Sequence, residues 1–175
     1  VAERGRLIKG LQHGAMLAVR AAPADLQAEL AEGVDLAALN GPKATVLAGP
    51  LGAVARVETR LESRGVSYKV LPSTRAFHSS MMDPIMNAFA QRMAAVPRKA
   101  PQVPWVSSMS GRLVTSEEAV SNEYWVQQMR APVLFAHASA CCVSLCDATL
   151  EMGSGDTLTR LTQQQPAARE LLAKV

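Results

Sequence analysis

The apolar positions of the first seventy residues fall into short runs and helix-spaced stripes, separated by turn signals. Val1-Ala2-Glu3-Arg4-Gly5-Arg6-Leu7-Ile8 reads as the middle of a helix, extending to about residue 12. The apolar run Ala15 to Val19 predicts a strand. Pro23 then opens a short helix with Leu26 and Leu30 one turn apart, stopped by Gly33. Val34 to Leu39 and Ala44 to Ala48 predict two strands, joined into a hairpin by the turn signal Asn40-Gly41-Pro42. After Pro50, Val54, Val57 and Leu61 share one face of a helix, with Glu58, Arg60 and Glu62 largely on the other. Gly65 ends it, and Val66 to Leu71 predicts a fourth strand. The order βαββαβ in so short a span is the ferredoxin-like split unit.

The pattern changes beyond residue 72. Asp83-Pro84 predicts the start of a helix through Ile85, Phe89 and Met93, and Pro97, Pro101 and Pro104 then interrupt the chain. Trp105 to Met109 predicts a short strand. Tyr124 begins a helical segment that resumes after Pro132 and runs towards Cys142. Thr149 to Met152 predicts a last strand, Gly153-Ser154-Gly155 a turn, and Asp156 the start of a final helix. Alternating strands and helices indicate an α/β layer. The expected organisation is residues 1–12 as a helix of a large subdomain, 13–72 as an inserted ferredoxin-like small subdomain, and 73–175 as the C-terminal part of the large one.

Composition narrows the function classes. With 175 residues and 49% hydrophobic content the chain can bury a sizeable core, and wholesale disorder is excluded. No apolar stretch reaches the ~20 residues of a membrane span. The net charge of +3 is spread along the chain and aromatics are only 4%, which argues against nucleic-acid binding. No export signal is visible, and three cysteines cannot build a disulfide framework, so a cytoplasmic location is expected. The start at Val1, inside a helix and without Met, is the start expected of a piece of something longer.

Candidate chemistry centres on His78, in the hydroxyl-rich loop Ser73-Thr74-Arg75-Ala76-Phe77-His78-Ser79-Ser80. A histidine there is either a polar loop residue or a base working at neutral pH. His13 follows a helix end and suits a C-terminal helix partner, whereas His137 lies in an apolar helix and reads as a core histidine. Cys141, Cys142 and Cys146 lack metal-ligand spacing and read as buried small hydrophobes, so no metal is expected. No Gly-x-Ser-x-Gly elbow, Gly-x-Gly-x-x-Gly or phosphate-binding loop occurs.

Five blocks occur in one order. They are Arg4-Gly5-Arg6-Leu7-Ile8, Asn40-Gly41-Pro42 with Thr45-Val46-Leu47-Ala48-Gly49, Arg75-Ala76-Phe77-His78-Ser79, Tyr124-Trp125-Val126 through Arg130-Ala131-Pro132-Val133-Leu134-Phe135, and Glu151-Met152-Gly153. Together they resemble the acyltransferase domain of modular polyketide synthases, a relative of malonyl-CoA:acyl-carrier-protein transacylases. The resemblance implies an α/β fold, a large subdomain related to α/β hydrolases with an inserted ferredoxin-like lobe. It also implies ping-pong transfer of a malonyl-type unit from coenzyme A, through a serine, to the phosphopantetheine thiol of an acyl carrier protein. His78 is then the base of a Ser-His dyad. Gln128 falls where a backbone carbonyl orients that histidine, Arg4 where an arginine holds the malonyl carboxylate, and Ala76 and Phe77 where a loop sets specificity.

Asn40 is a further substrate-binding candidate from its motif. The sequence departs from the pattern at Arg75, where malonyl-type domains commonly have His, at Ile8 for Met, and at Ser154 for Pro. The serine elbow is expected in a missing N-terminal segment of the same domain, with a neighbouring ketosynthase as a further partner. No bound cofactor is implied: malonyl-CoA is a substrate. An alternative is a non-catalytic fragment or degenerate domain that scaffolds the carrier protein or ketosynthase, and a third is a stand-alone transacylase of fatty-acid synthesis.

Overall fold

A computed structural model describes residues 1–166 and 168; the last residues of the expected 73–175 unit lie outside the described residues. Helix α1 (Ala2–Lys9) leads into a four-stranded antiparallel sheet. The sheet comprises β1 (Gly14–Val19), β2 (Asp35–Gly41), β3 (Ala44–Pro50) and β4 (Tyr68–Val70), in the order β2-β3-β1-β4. A 3-10 turn (Pro23–Leu26) with the single-turn helix α2 (Gln27–Leu30) follows β1, and α3 (Leu51–Ser63) joins β3 to β4. This is the βαββαβ unit expected from the pattern. The hairpin turn lies at Pro42-Lys43, because Asn40 and Gly41 stay in β2.

The pleat sends successive side chains of a strand to opposite faces, and both faces of this sheet are covered. Leu17 and Val19 of β1 and Leu47 of β3 pack against Leu26, Val54, Val57 and Leu61 of the helices. Full burial of such a side chain contributes about 1.5–3 kcal/mol. Met16, Val46 and Ala48 face the other way, onto Ala76, with Phe77 and Met81 against them; Ala37 and Ala38 both join this side because β2 has a bulge between Leu36 and Ala38. The His78 loop is therefore built onto the back of the sheet.

A third cluster joins Ile8 of α1 to α4 (Asp83–Ala94) through Ile85 and Phe89 and to α6 (Asn122–Arg130) through Val126 and Met129. Phe77 packs against this cluster as well, bridging the sheet and the helical layer. Between α4 and α6 lies α5 (Ser116–Val120). Beyond α6 come α7 (Phe135–Leu145) and α8 (Thr157–Gln163). Val133, just past α6, extends the sheet by one residue: its amide donates to Ala37 and its carbonyl accepts from Leu39.

Two expected strands differ. Trp105–Met109 contributes a single bridge, Val106 with Leu113. Thr149–Met152 is not a strand: Leu150 and Met152 are more than four-fifths exposed, and the Glu151 carboxylate instead accepts from the amides of Leu158 and Thr159 at the start of α8. A strand needs a neighbouring ladder, and none lies beside this segment among the described residues.

Candidate active site

The loop after β4 is anchored at several points. Arg75 donates from Nε to the Ile8 carbonyl (3.2 Å) and from its guanidinium end to the Lys9 carbonyl (2.8 Å), capping the C-terminus of α1. Ala76 is buried beside Gly14. A methyl group at Gly14 would stand 2.9 Å from the Ala76 Cβ, so glycine permits this close approach of loop and sheet. His78 adopts φ +56°, a left-handed conformation that side-chain-bearing residues visit at a cost of order 1 kcal/mol. The buried Ser79 follows, its hydroxyl donating to the Ala76 carbonyl (2.6 Å) and accepting from the Met81 amide (3.2 Å). It thereby caps the 3-10 turn (Ser80–Met82) that enters α4.

The half-buried His78 ring meets the Ala131 carbonyl through Nδ1 at 2.8 Å. A carbonyl can only accept, so Nδ1 carries the proton and Nε2 keeps its lone pair. Burial is the main cause that lowers the His78 pKa below 6.5; the charge of Arg4 lowers it further, and the Ala131 bond works the other way. The ring is thus a neutral base at neutral pH, with a fixed tautomer.

Of the residues singled out from sequence, Ala76 and Phe77 adjoin His78, and Arg4 on α1 is close enough for its charge to act on the ring. Gln128 does not supply the orienting carbonyl. That contact belongs to Ala131, three residues on, where α6 has ended and Pro132 favours an extended backbone whose carbonyl turns out of the helix. Asn40 lies apart, at the hairpin end of β2, and its carbonyl accepts from Gln165 (3.0 Å).

Two charged residues that sequence reasoning passed over frame the loop. Asp35 opens β2 and accepts from the amide and hydroxyl of Ser80 (2.8 and 2.7 Å), while Arg130 pairs with both Asp35 and Asp83. The signal for Asp35 was an acid inside an otherwise apolar strand.

The other candidates play no part in this cluster. His13 and His137 are exposed, which corrects the core reading of His137. The three cysteines are free and half-buried, and burial pushes the Cys142 thiol up, away from thiolate chemistry. No metal-binding cluster occurs among the described residues. An apolar groove of about 370 Å³, lined by Phe135, Ala138, Val143 and Leu150 among others, lies away from His78. No helix among them is long and apolar enough to cross a membrane.

Fold and site together define an α/β protein with an inserted ferredoxin-like lobe and a histidine whose Nδ1 is held on a backbone carbonyl. The chain belongs to the acyl transferase domain family, whose profile matches residues 1–164. It is 36% identical over 175 residues to Pks1 of Mycobacterium tuberculosis, a type I polyketide synthase of phenolphthiocerol synthesis whose name describes it as inactive. That match covers 98% of this chain and 11% of Pks1.

Among solved structures, the acyl transferase domain of SpnD in complex with 2-(pent-4-yn-1-yl)malonyl matches with a TM-score of 0.88 and 33% identity, over 99% of this chain and 47% of that one. A malonyl CoA-acyl carrier protein transacylase from Burkholderia pseudomallei matches with a TM-score of 0.86 and 29% identity, over 97% of this chain and 61% of its own. The chain spans about a tenth of the length of the curated relatives it matches. Its fold is that of the acyltransferase structures, as the sequence pattern led us to expect.

Proposed function

We propose that the chain carries the base and substrate-positioning half of an acyltransferase that moves a malonyl-type unit from coenzyme A to the phosphopantetheine thiol of an acyl carrier protein. The observation that carries this reading is His78, set in a strained backbone with Nδ1 on a carbonyl and Nε2 free. A serine outside these 175 residues would be the nucleophile. Nε2 takes the serine proton as the oxygen attacks the thioester, and returns it to the departing coenzyme A thiolate. In the second half it takes the carrier thiol's proton as sulfur attacks the acyl ester, and returns it to the serine oxygen. Arg4 would pair with the free carboxylate of the extender unit, and Phe77 would disfavour an α-branch.

The reading includes a preceding segment of the same domain, a carrier protein and a neighbouring ketosynthase as partners, in the cytoplasm. The free cysteines suit that compartment. In the acyltransferase bearing this chain, His78→Ala is expected to abolish malonyl transfer from malonyl-CoA to carrier protein. Transfer at the unsubstituted rate would overturn the reading. A second reading, a non-catalytic scaffold, is favoured by the similarity to a relative named inactive. It predicts carrier-protein binding without any transfer.

A further inference from the structure

We propose that Arg130 and Asp35 are positioning residues that hold the His78 loop and the Ala131 carbonyl together. The inference rests on the reading of His78 as the base, and concerns how that base is kept in register. His78 and Ala131 come from distant parts of the chain, and neither belongs to a regular element that would place it against the other. The two strands of backbone that must meet are each tied to one carboxylate. Asp35 Oδ2 accepts from the amide and hydroxyl of Ser80, two residues after His78. Its other oxygen, Oδ1, accepts from the Arg130 guanidinium at 3.2 Å, one residue before Ala131. The same guanidinium donates from Nε to Asp83 Oδ1 at 2.8 Å, at the start of α4. A planar fork can bridge two acids at a fixed angle, which a point charge on a flexible stem cannot do as well.

Asp35 is itself fixed, because it opens β2 and its strand is paired with β3 on one side and with Val133 on the other. The Arg130 and Asp35 side chains are only 29% and 26% exposed, so this pair is less screened than an ordinary surface bridge. The small lobe thereby sets the distance between base and orienting carbonyl: moving β2 relative to α6 moves both partners through the same carboxylate.

The tautomer of His78 reports this directly and needs no turnover. Nitrogen-15 imidazole spectra of the chain give the Nδ1–H to Nε2–H ratio for each histidine, with exposed His13 and His137 as internal references. In the unsubstituted chain His78 is expected to be dominated by the Nδ1–H form. Arg130→Met is expected to lower that ratio several-fold, towards that of a solvent-exposed imidazole, and Arg130→Lys to recover part of it. Ser80→Ala, at an exposed position that leaves Arg130 in place, is expected to give a smaller shift in the same direction and covers the case in which Arg130→Met does not fold. An unchanged His78 ratio in folded Arg130→Met, or in Ser80→Ala should the former not fold, would overturn the proposal. Equal shifts in the lysine and methionine variants would overturn the role of the fork. A failure of His78→Ala to affect transfer leaves these spectra unchanged, so the two ideas fail separately.

Discussion

The His78 ring and the Ala131 carbonyl meet at 2.8 Å across 53 residues of chain, and that contact decides which ring nitrogen is free. Burial and the nearby Arg4 charge keep the ring's pKa below 6.5 against the opposing effect of the Ala131 bond. Transfer should therefore rise with pH along a limb whose inflection lies below 6.5, and be level by neutrality. An inflection above 6.5 would contradict a buried neutral base. Stability carries the same sign. Between the lowered folded value and 6.5 the unfolded chain binds a proton that the folded chain does not, so unfolding free energy falls as pH drops through that window. Urea midpoints compared between the parent chain and His78→Gln should show the parent losing more stability on acidification.

Arg4→Ala is expected to remove transfer of malonyl-type groups selectively and to gain neutral acyl groups such as acetyl. A charge-assisted, bidentate pair with a carboxylate is lost while nothing needed by a neutral group is removed. Competition between malonyl-CoA and acetyl-CoA measures it, and an unchanged preference would refute the carboxylate role. The same substitution should raise the His78 pKa, since the Arg4 charge lowers it. Proton titration of the ring reads this without any substrate.

Gly14 and Gly5 should respond in opposite ways to alanine. A Cβ at Gly14 would stand 2.8 Å from the Gly49 carbonyl oxygen, 2.8 Å from the Met81 sulfur and 2.9 Å from the Ala76 Cβ. The methionine can move, but the backbone carbonyl cannot without opening the β1–β3 ladder, so Gly14→Ala should cost about 1–3 kcal/mol. Gly5 sits in α1 with nothing within 4 Å, so Gly5→Ala should stabilise by roughly 0.5–1 kcal/mol. Chemical denaturation of both variants tests the pair, and a neutral Gly14→Ala would mean that the loop does not lie against the sheet.

The small lobe was legible because its strands are short apolar runs bounded by Pro, Gly and Asn turn signals, while its helix α3 keeps Val54, Val57 and Leu61 on one face. Helix α5 was passed over although Thr115 and Glu118 form a complete capping box; with five residues it is too short to show a period. Thr149–Met152 has a strand's composition but no ladder beside it, and composition cannot report a neighbour. His78 stood out through its loop and family pattern. The substitution of Ala131 for Gln128 as the orienting residue did not, because a backbone carbonyl carries no side-chain signature. Asp35 and Arg130 are 95 residues apart, and nothing local links them.

Glu29 offers a test of how the small lobe tolerates a buried charge. Its carboxylate is fully buried; Oε1 accepts from Arg64 at 2.6 Å, and Oε2 has no partner among the described residues. Arg64 is 41% exposed and also donates to the Asp25 carbonyl, so it loses little water in making the pair. The two single substitutions should therefore differ. Arg64→Met leaves an uncompensated carboxylate inside the lobe and should cost about 3 kcal/mol, the lower end for a broken buried pair, since part of the site faces solvent. Glu29→Leu removes the desolvated charge and leaves an arginine that water can reach, so it should be close to neutral. The double variant should recover most of the loss from Arg64→Met, because the penalty lies in the stranded carboxylate rather than in the missing attraction. Urea unfolding of the four chains closes the cycle, and a double variant as unstable as Arg64→Met alone would show that arginine packing, not charge, sets the cost.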